Sequence, residues 1–255
     1  TTQSINIKNG FDIYNLTVND GSTTSIHTID NTAGLLDVYA DLIVNEKLTS
    51  HADSNTSGVR IKTSNRAVTI GSDVKTTALA TLYQFVIDHG GNTNVPECNL
   101  KYVDITSGGT LTATGNHTIA TELQIASGCT YNANGNTIEV DILDVNGGTL
   151  DMINSDFIIQ NGGAVAWHDT NSTILSGNTT LTGHSSANKA DTYVPAAGNF
   201  EIVGDVKFLK LDAGASDNFD LTVVGAVIDC DVSAAGANIR QWHHTLDTQQ
   251  LLDAD

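Results

Sequence analysis

Four short phrases recur between Thr106 and Thr182, and they restrict the fold more than any other feature of this 255-residue chain. They are Ser107-Gly108-Gly109-Thr110-Leu111-Thr112-Ala113, Ser127-Gly128-Cys129-Thr130-Tyr131-Asn132-Ala133, Asn146-Gly147-Gly148-Thr149-Leu150-Asp151-Met152 and Asn161-Gly162-Gly163-Ala164-Val165-Ala166-Trp167. Their first glycines are Gly108, Gly128, Gly147 and Gly162, two nearly equal steps followed by a shorter one. A second phrase keeps step: Gly115-Asn116-His117-Thr118-Ile119, Gly135-Asn136-Thr137-Ile138 and, more loosely, Gly177-Asn178-Thr179-Thr180-Leu181. Each unit reads as short strand, Gly turn, short strand, Asn/Gly turn. A unit this small cannot bury its apolar side chains alone, but stacked on its neighbours it can, which is the logic of a solenoid. Alignment puts Thr110, Thr130 and Thr149 at one level, and Leu111, Tyr131, Leu150 and Val165 at the next. The expectation is an aliphatic ladder inside and a threonine ladder on a flat outer face.

Composition agrees with narrow coils. Apolar residues make up 40% of the chain and aromatics 5%, thin for a globular α/β enzyme. With 23 Gly and only 2 Pro, the turns must rely on Gly, Asn and Asp, which tolerate left-handed backbone. Of the 29 acidic residues 24 are Asp, and Asp favours turns over helix interiors. The formal charge of -18, with 11 scattered Lys and Arg, argues against nucleic acid or an anionic membrane as partner. No apolar stretch reaches the roughly 18 residues of a membrane span. Three cysteines, Cys98, Cys129 and Cys230, give no C-x-x-C spacing and no disulfide framework. Cys129 fills the slot of Gly109, Gly148 and Gly163, so it reads as a small residue in a tight turn.

The chain divides by pattern into five parts. Residues 1–96 alternate apolar and polar in short runs and read as early coils; 97–182 carry the repeat. Within the first part, Thr77 to His89 is the one place where a helix competes, with Ala78, Leu82 and Phe85 on one helical face; a strand from Leu82 to Ile87 is the preferred reading. Residues 183–200 lose the pattern and read as loop or linker. Strands resume over 201–235. The tail, 236–255, places Ile239, Trp242 and Leu246 at helical spacing and reads as a cap or docking arm, because the open edge of an end coil must be covered. The fold class expected is all-β, a parallel β-solenoid with irregular coils, or in part a β-sandwich or jelly roll.

The phrases Ser/Asn-Gly-Gly-Thr-Leu and Gly-Asn-x-Thr-Ile resemble those of parallel β-helix surface proteins. The haemagglutinin-like adhesins of bacteria use similar N-x-G-T-L coils, and tail spikes, fibres and decorating proteins of bacteriophages use kindred Asn/Thr/Gly-rich strands. The likeness is clear over the repeat-bearing segment, weak over the remainder, and is one of period and composition. It implies a structural, non-enzymatic protein on a virion surface, either capsid decoration or tail fibre or spike, assembled as a symmetric homotrimer with other virion or surface proteins. An extracellular or cell-surface, glycan-binding adhesin is the alternative, and a polysaccharide depolymerase or lyase stands third.

Candidate sites are few. Ser57-Gly58-Val59-Arg60-Ile61-Lys62-Thr63 looks like the R-I-K signature of pectin-hydrolysing glycosidases. The N-T-D motif, adjacent Asp pair and G-H-G motif that precede it there have no counterpart here, so Arg60 and Lys62 read as outward residues on an alternating strand. No catalytic residue is expected. Asp212, Gly214, Ser216, Asp217 and Asp220 crowd oxygen donors into one stretch, as calcium needs. Their spacing fits neither an EF-hand loop nor the glycine-rich nonapeptide repeat, and solvated turn residues are the simpler reading. His243 and His244 are adjacent and lack a third ligand. Trp167, Tyr131 and Trp242 are the candidates for stacking on sugar rings.

Overall fold

The computed structural model describes residues 2–5, 12–19, 26–29, 34–50 and 57–159, and beyond them the strands lying between Trp167 and Thr245. The chain is an all-β parallel solenoid of about 6 turns. Every strand pairing among the described residues is parallel, and strands join in sheets of 13, 8, 3 and 3.

Each coil visits three faces. One coil, for example, runs through Gln84–Asp88, then Asn92–Val95, then the start of Cys98–Thr106. The next continues along the same strand, turns into Thr110–Ala113 and reaches the start of His117–Ile125. The first face is built from Leu35–Val38, Gly58–Ile61, Gln84–Asp88 and the second halves of the long strands Cys98–Thr106, His117–Ile125 and Thr137–Asn146. The second holds Asn92–Val95, Thr110–Ala113, Thr130–Asn132, Thr149–Asp151 and Thr173–Leu175. The third holds the first halves of the long strands and Asp156–Ile159. A shift in register between Leu100 and Tyr102, and again between Ile119 and Glu122, marks the corner from third face to first. Each long strand therefore turns that corner through an irregularity, as a β-bulge allows.

The repeat stacks as its spacing predicts. Thr110 pairs with Thr130, Thr130 with Thr149, and Thr149 with Thr173. Thr93, Leu111, Tyr131, Leu150 and Ile174 form the adjacent column, and all five are fully buried. The position above Leu150 thus belongs to Ile174, not to Val165. The phrase at Asn161 imitates the turn by its glycines, whereas the continuing ladder lies further along the chain, at Thr173; Val165 itself lies outside the described residues.

Two more buried columns fill the coil. On the first face Leu36, Val59, Phe85, Val103, Leu123 and Leu143 lie over one another, and Val38, Ile61, Ile87, Ile105, Ile125 and Val145 do the same two residues on. Side chains of like shape at the roughly 4.8 Å spacing of neighbouring strands pack by repetition, so no coil needs more than its two neighbours.

The turn between first and second faces explains the Ser/Asn-Gly-x phrase. Gly108, Gly128 and Gly147 adopt φ of 73°, 73° and 69°, a left-handed geometry that glycine enters without a Cβ penalty. At Gly148 the third slot is sterically closed, since a Cβ there would stand 2.6 Å from Ile125 Cγ2. Cys129 occupies the same slot one coil down, buried and un-bridged, between glycines above and below.

The stretch from Thr77 to His89, where helix and strand compete, resolves as strand, with a short 3-10 turn just ahead of it. A 3-10 turn spans Ser72–Val74 and a strand spans Gln84–Asp88. Ala78, Leu79 and Leu82 between them are buried, and they replace a third-face strand. Leu48 N–H bonds to Ala78 O at 2.7 Å and Asn99 N–H to Lys75 O at 3.3 Å, so the detour still hands hydrogen bonds to the coils on either side. Towards the C-terminus, Val194–Ala197 is a strand paired with Trp167–Thr170, inside the part read as loop. Gln241–Thr245 is a strand in register with Asp220–Val224. The helical spacing seen in the tail is therefore overridden at Trp242 by pairing to the coil before it.

Candidate functional site

Polar chemistry gathers on the outside of the first face. Alternation turns every second residue outward, and register sets Asp37, Arg60, Val86, Asp104, Gln124 and Asp144 in one outward column. Lys62 and Asp88 lie further along the same strands, towards the corner.

The two cations named by the sequence are both engaged. Arg60 grips Asp37 with two parallel bonds, Nε to Oδ1 at 2.7 Å and Nη2 to Oδ2 at 2.8 Å, the planar fork that suits a carboxylate. Its Nε also stands 3.7 Å from Asp88 Oδ2. Lys62 Nζ donates to Asp88 Oδ2 at 2.6 Å, and Ser107 Oγ donates to the other Asp88 oxygen. The hydrogen bond from Lys62, then that from Ser107, hold the Asp88 carboxyl below its usual range. The bond to Asp37 raises the Arg60 guanidinium further against a smaller opposing effect of burial. Arg60 and Lys62 thus bind successive coils together as outward residues.

The next coils carry a different network. Tyr102 donates its hydroxyl to Gln124 Oε1 at 2.8 Å, and Gln124 Nε2 donates to Asp144 Oδ2 at 3.1 Å, a relay across three coils. Burial, with Glu122 and Asp104 nearby, keeps the Tyr102 phenol protonated. Lys101 Nζ sits 4.3 Å above the ring centre of Tyr83, within cation–π range. Asp104 stands beside this relay, in register with Gln124. Burial raises its pKa, and the like charges of Asp88 and Asp144 add to the effect.

The Asp104 shift gives a signed expectation. A carboxyl with a raised pKa in the folded chain opposes folding wherever it is ionised, and the penalty fades as pH falls below the ordinary carboxylate range. Asp104→Asn should therefore raise the melting temperature at pH 7 and leave it unchanged at pH 3. The gain should stay under about 1 kcal/mol because solvent screens the site. Equal effects at both pH values would show that the charge of Asp104 is not what matters.

The buried interior holds a second polar cluster. His117, in register with Cys98 and Ile138, points inward and is 1% exposed. Its Nδ1 lies 2.9 Å from Tyr131 Oη, and its Nε2 lies 3.2 Å from Val95 O and 3.0 Å from Pro96 O. The two rings meet edge to face, centroids 6.2 Å apart. Burial lowers the His117 pKa to about 4. Sequence alone makes Tyr131 a candidate for stacking on sugars. That reading is corrected: the ring is fully buried and its hydroxyl is committed to His117, so no external ligand reaches it.

The remaining candidates are placed by backbone alone. Trp167 begins a first-face strand in register with Leu143, away from the level of Ala113 and Met152 that its phrase suggests. Trp242 is in register with Leu221, and His243 and His244 follow it on the same strand. Asp220 opens the strand Asp220–Val224; Asp212, Gly214, Ser216 and Asp217 lie outside the described residues. Among the described residues no group of three or more His, Cys, Asp and Glu side chains could hold a metal ion.

The column around Asp104 does not stand out in the sequence. Its signal exists: Asp37, Arg60, Asp104, Gln124 and Asp144 are the polar members flanked by two inward residues on each strand. It becomes readable only once the register between strands of different windings is known. Comparison with protein-family models, with curated proteins and with solved structures gives no match for this chain.

Proposed function

We propose that the chain is a non-enzymatic structural protein on an outer surface, most specifically a bacteriophage virion component that decorates a capsid or forms part of a tail fibre or spike. The observation that carries the reading is the unbroken parallel register of the first face from Leu35 to Val145. Backbone groups paired on both sides by neighbouring coils give a stiff body that resists proteases. The charged outer face supports it: Arg60 and Lys62 are used to tie coils together. The turn phrases that resemble phage and adhesin coils point to the same setting, and the acidic charge suits a hydrated exterior. On this reading the chain works as a symmetric homotrimer that docks to other virion proteins.

A glycan-binding adhesin is the second reading. The second face favours it: Thr110, Thr112, Thr130, Asn132 and Thr149 present hydroxyls and amides beside the Asp151 carboxylate, polar groups of the kind sugar hydroxyls can meet. Electron micrographs of the native assembly with bound antibody fragments against this chain decide between the readings. Lattice positions on a particle or a place at a tail tip are expected. Labelling of a cell envelope, with saturable binding to a sugar array, would support the adhesin. A monomer by sedimentation velocity would remove the trimer.

A further inference from the structure

The structure assigns a switch to two histidines that are buried among the described residues. We propose that His89 and His117 form an acid-operated release in the middle of the solenoid: protonation breaks the hydrogen bonds by which His89 holds the turn into Asn92–Val95 and His117 ties its coil to the next, and the body opens there while neighbouring coils hold. The proposal concerns the interior and is independent of what the outer faces bind.

Geometry fixes the protonation of both rings. At His89, Gly91 N–H donates to Nδ1 at 3.1 Å, so that nitrogen carries no proton; Nε2 then donates to Thr93 Oγ1 at 2.7 Å. At His117, Nε2 faces two carbonyl oxygens, which only accept. Nε2 must therefore carry the proton, and Nδ1 accepts from the Tyr131 hydroxyl. Each imidazole is thus used once as donor side and once as acceptor side, which only the neutral ring allows.

A second proton turns each acceptor into a donor that meets another donor. At His89 it would confront the Gly91 N–H, a clash that neither partner can rotate away. At His117 it would confront the Tyr131 hydroxyl. That oxygen could accept, but its own proton would then need a partner inside an apolar core. The groups that face His117 offer little help. The Cys98 thiol on the coil below is held neutral, its pKa pushed up to about 12 by burial. The Glu97 carboxylate is turned to Lys75 at 2.7 Å. Ile138 lies on the coil above. The charge that acts on His89 is that of Asp88, whose oxygens are taken by Lys62 and Ser107.

His117 is also a mechanical link. Its partners lie on the coil before it, at Val95 and Pro96, and on the coil after it, at Tyr131. Protonation at Nδ1 disturbs the tie to Tyr131 while Nε2–H keeps its bonds to Val95 and Pro96, so the coil after His117 is the one released, and a solenoid transmits that loss mainly to nearest neighbours. Burial lowers the pKa of both rings. A depressed folded-state pKa means stability present above the ordinary histidine value and lost as pH falls from there through the folded value. For His117 the window therefore runs from about pH 6.5 down towards pH 4, and the contribution of His89 is lost in the same direction, below about pH 6.5.

Hydrogen exchange of the full chain, followed by mass spectrometry between pH 7 and pH 4 and corrected for the intrinsic rate, tests the release. Peptides within 84–140 should lose protection by about a hundredfold across the window, and those within 35–50 by much less. In H89Q/H117Q each amide can mimic the donor and acceptor of neutral histidine but cannot titrate, so the profile should flatten. Nitrogen-15 spectra of labelled histidine give a readout that needs no variant. They should show His89 and His117 as the Nε2–H tautomer at pH 7, with His117 still neutral at pH 5 while exposed histidines are charged. Equal loss of protection in 35–50, an unchanged profile in the double variant, or protonation of His117 in the folded chain near the ordinary histidine range would each overturn the proposal.

Discussion

Gly58→Ala destabilises the chain by about 3 kcal/mol, the upper end of the range for overpacking, because the groups it meets cannot yield. Gly58 opens the strand Gly58–Ile61 and is buried between Leu35 on one coil and Gln84 on the next. A Cβ built there stands 2.0 Å from the backbone oxygen of Gln84 and 2.8 Å from its carbonyl carbon. Neither atom belongs to a flexible side chain, so relief requires the two strands to separate. The entropy that alanine removes from the unfolded chain, about 0.4–1 kcal/mol, offsets only a fraction. Separation would also pull Arg60 and Lys62 from Asp88, since those pairs depend on the same register. Urea melts of G58A beside a control such as Gly90→Ala, where a Cβ meets nothing nearer than 3.5 Å, check the claim. A G58A midpoint within error of the control would mean that the close approach of the two strands is not maintained in solution.

Tyr131→Ala should cost about 3–5 kcal/mol, as expected for emptying a large buried aromatic site. Tyr131→Phe should cost about 1–3 kcal/mol, because His117 Nδ1 is left without its donor in a buried place. The two variants separate packing from hydrogen bonding at one residue. The loss should also be local. In a stack held by nearest-neighbour contacts, coils near Tyr131 lose exchange protection first and those around Leu36 retain it. Uniform loss along the chain would indicate a single cooperative core in place of a stack.

The fold was legible because its repeat is literal. Threonine and leucine recur at the same place in successive windings, and the turn chemistry of Ser107-Gly108 and Asn146-Gly147 demands glycine at the second position. Legibility failed where the period changed. The phrase at Asn161 imitates the turn but falls out of step with Thr173, where the ladder resumes. Simple alternation is a poor guide at Ile142. Read along one strand it continues Ile138 and Val140 inward. The bulge reverses the sense, so Ile142 pairs with Glu122 on the outer side and Leu143 points in. The polar column of the first face was illegible for a related reason. Its members are ordinary outward residues until register brings them together. Tyr131 shows the converse, since an aromatic in a Thr- and Asn-rich turn phrase looks exposed until the level it shares with Leu111 and Leu150 is seen to be interior.

Because every winding offers on its upper edge what it accepts on its lower edge, the height of this molecule is adjustable in whole units. Ile105 and Ile125 occupy equivalent places on successive windings. Removing one winding between them shortens the body by about 4.8 Å and leaves matched surfaces to close the gap. Duplication adds the same increment. A protein of this build can be fitted to a required reach by cutting or copying segments of its gene, without inventing a new interior.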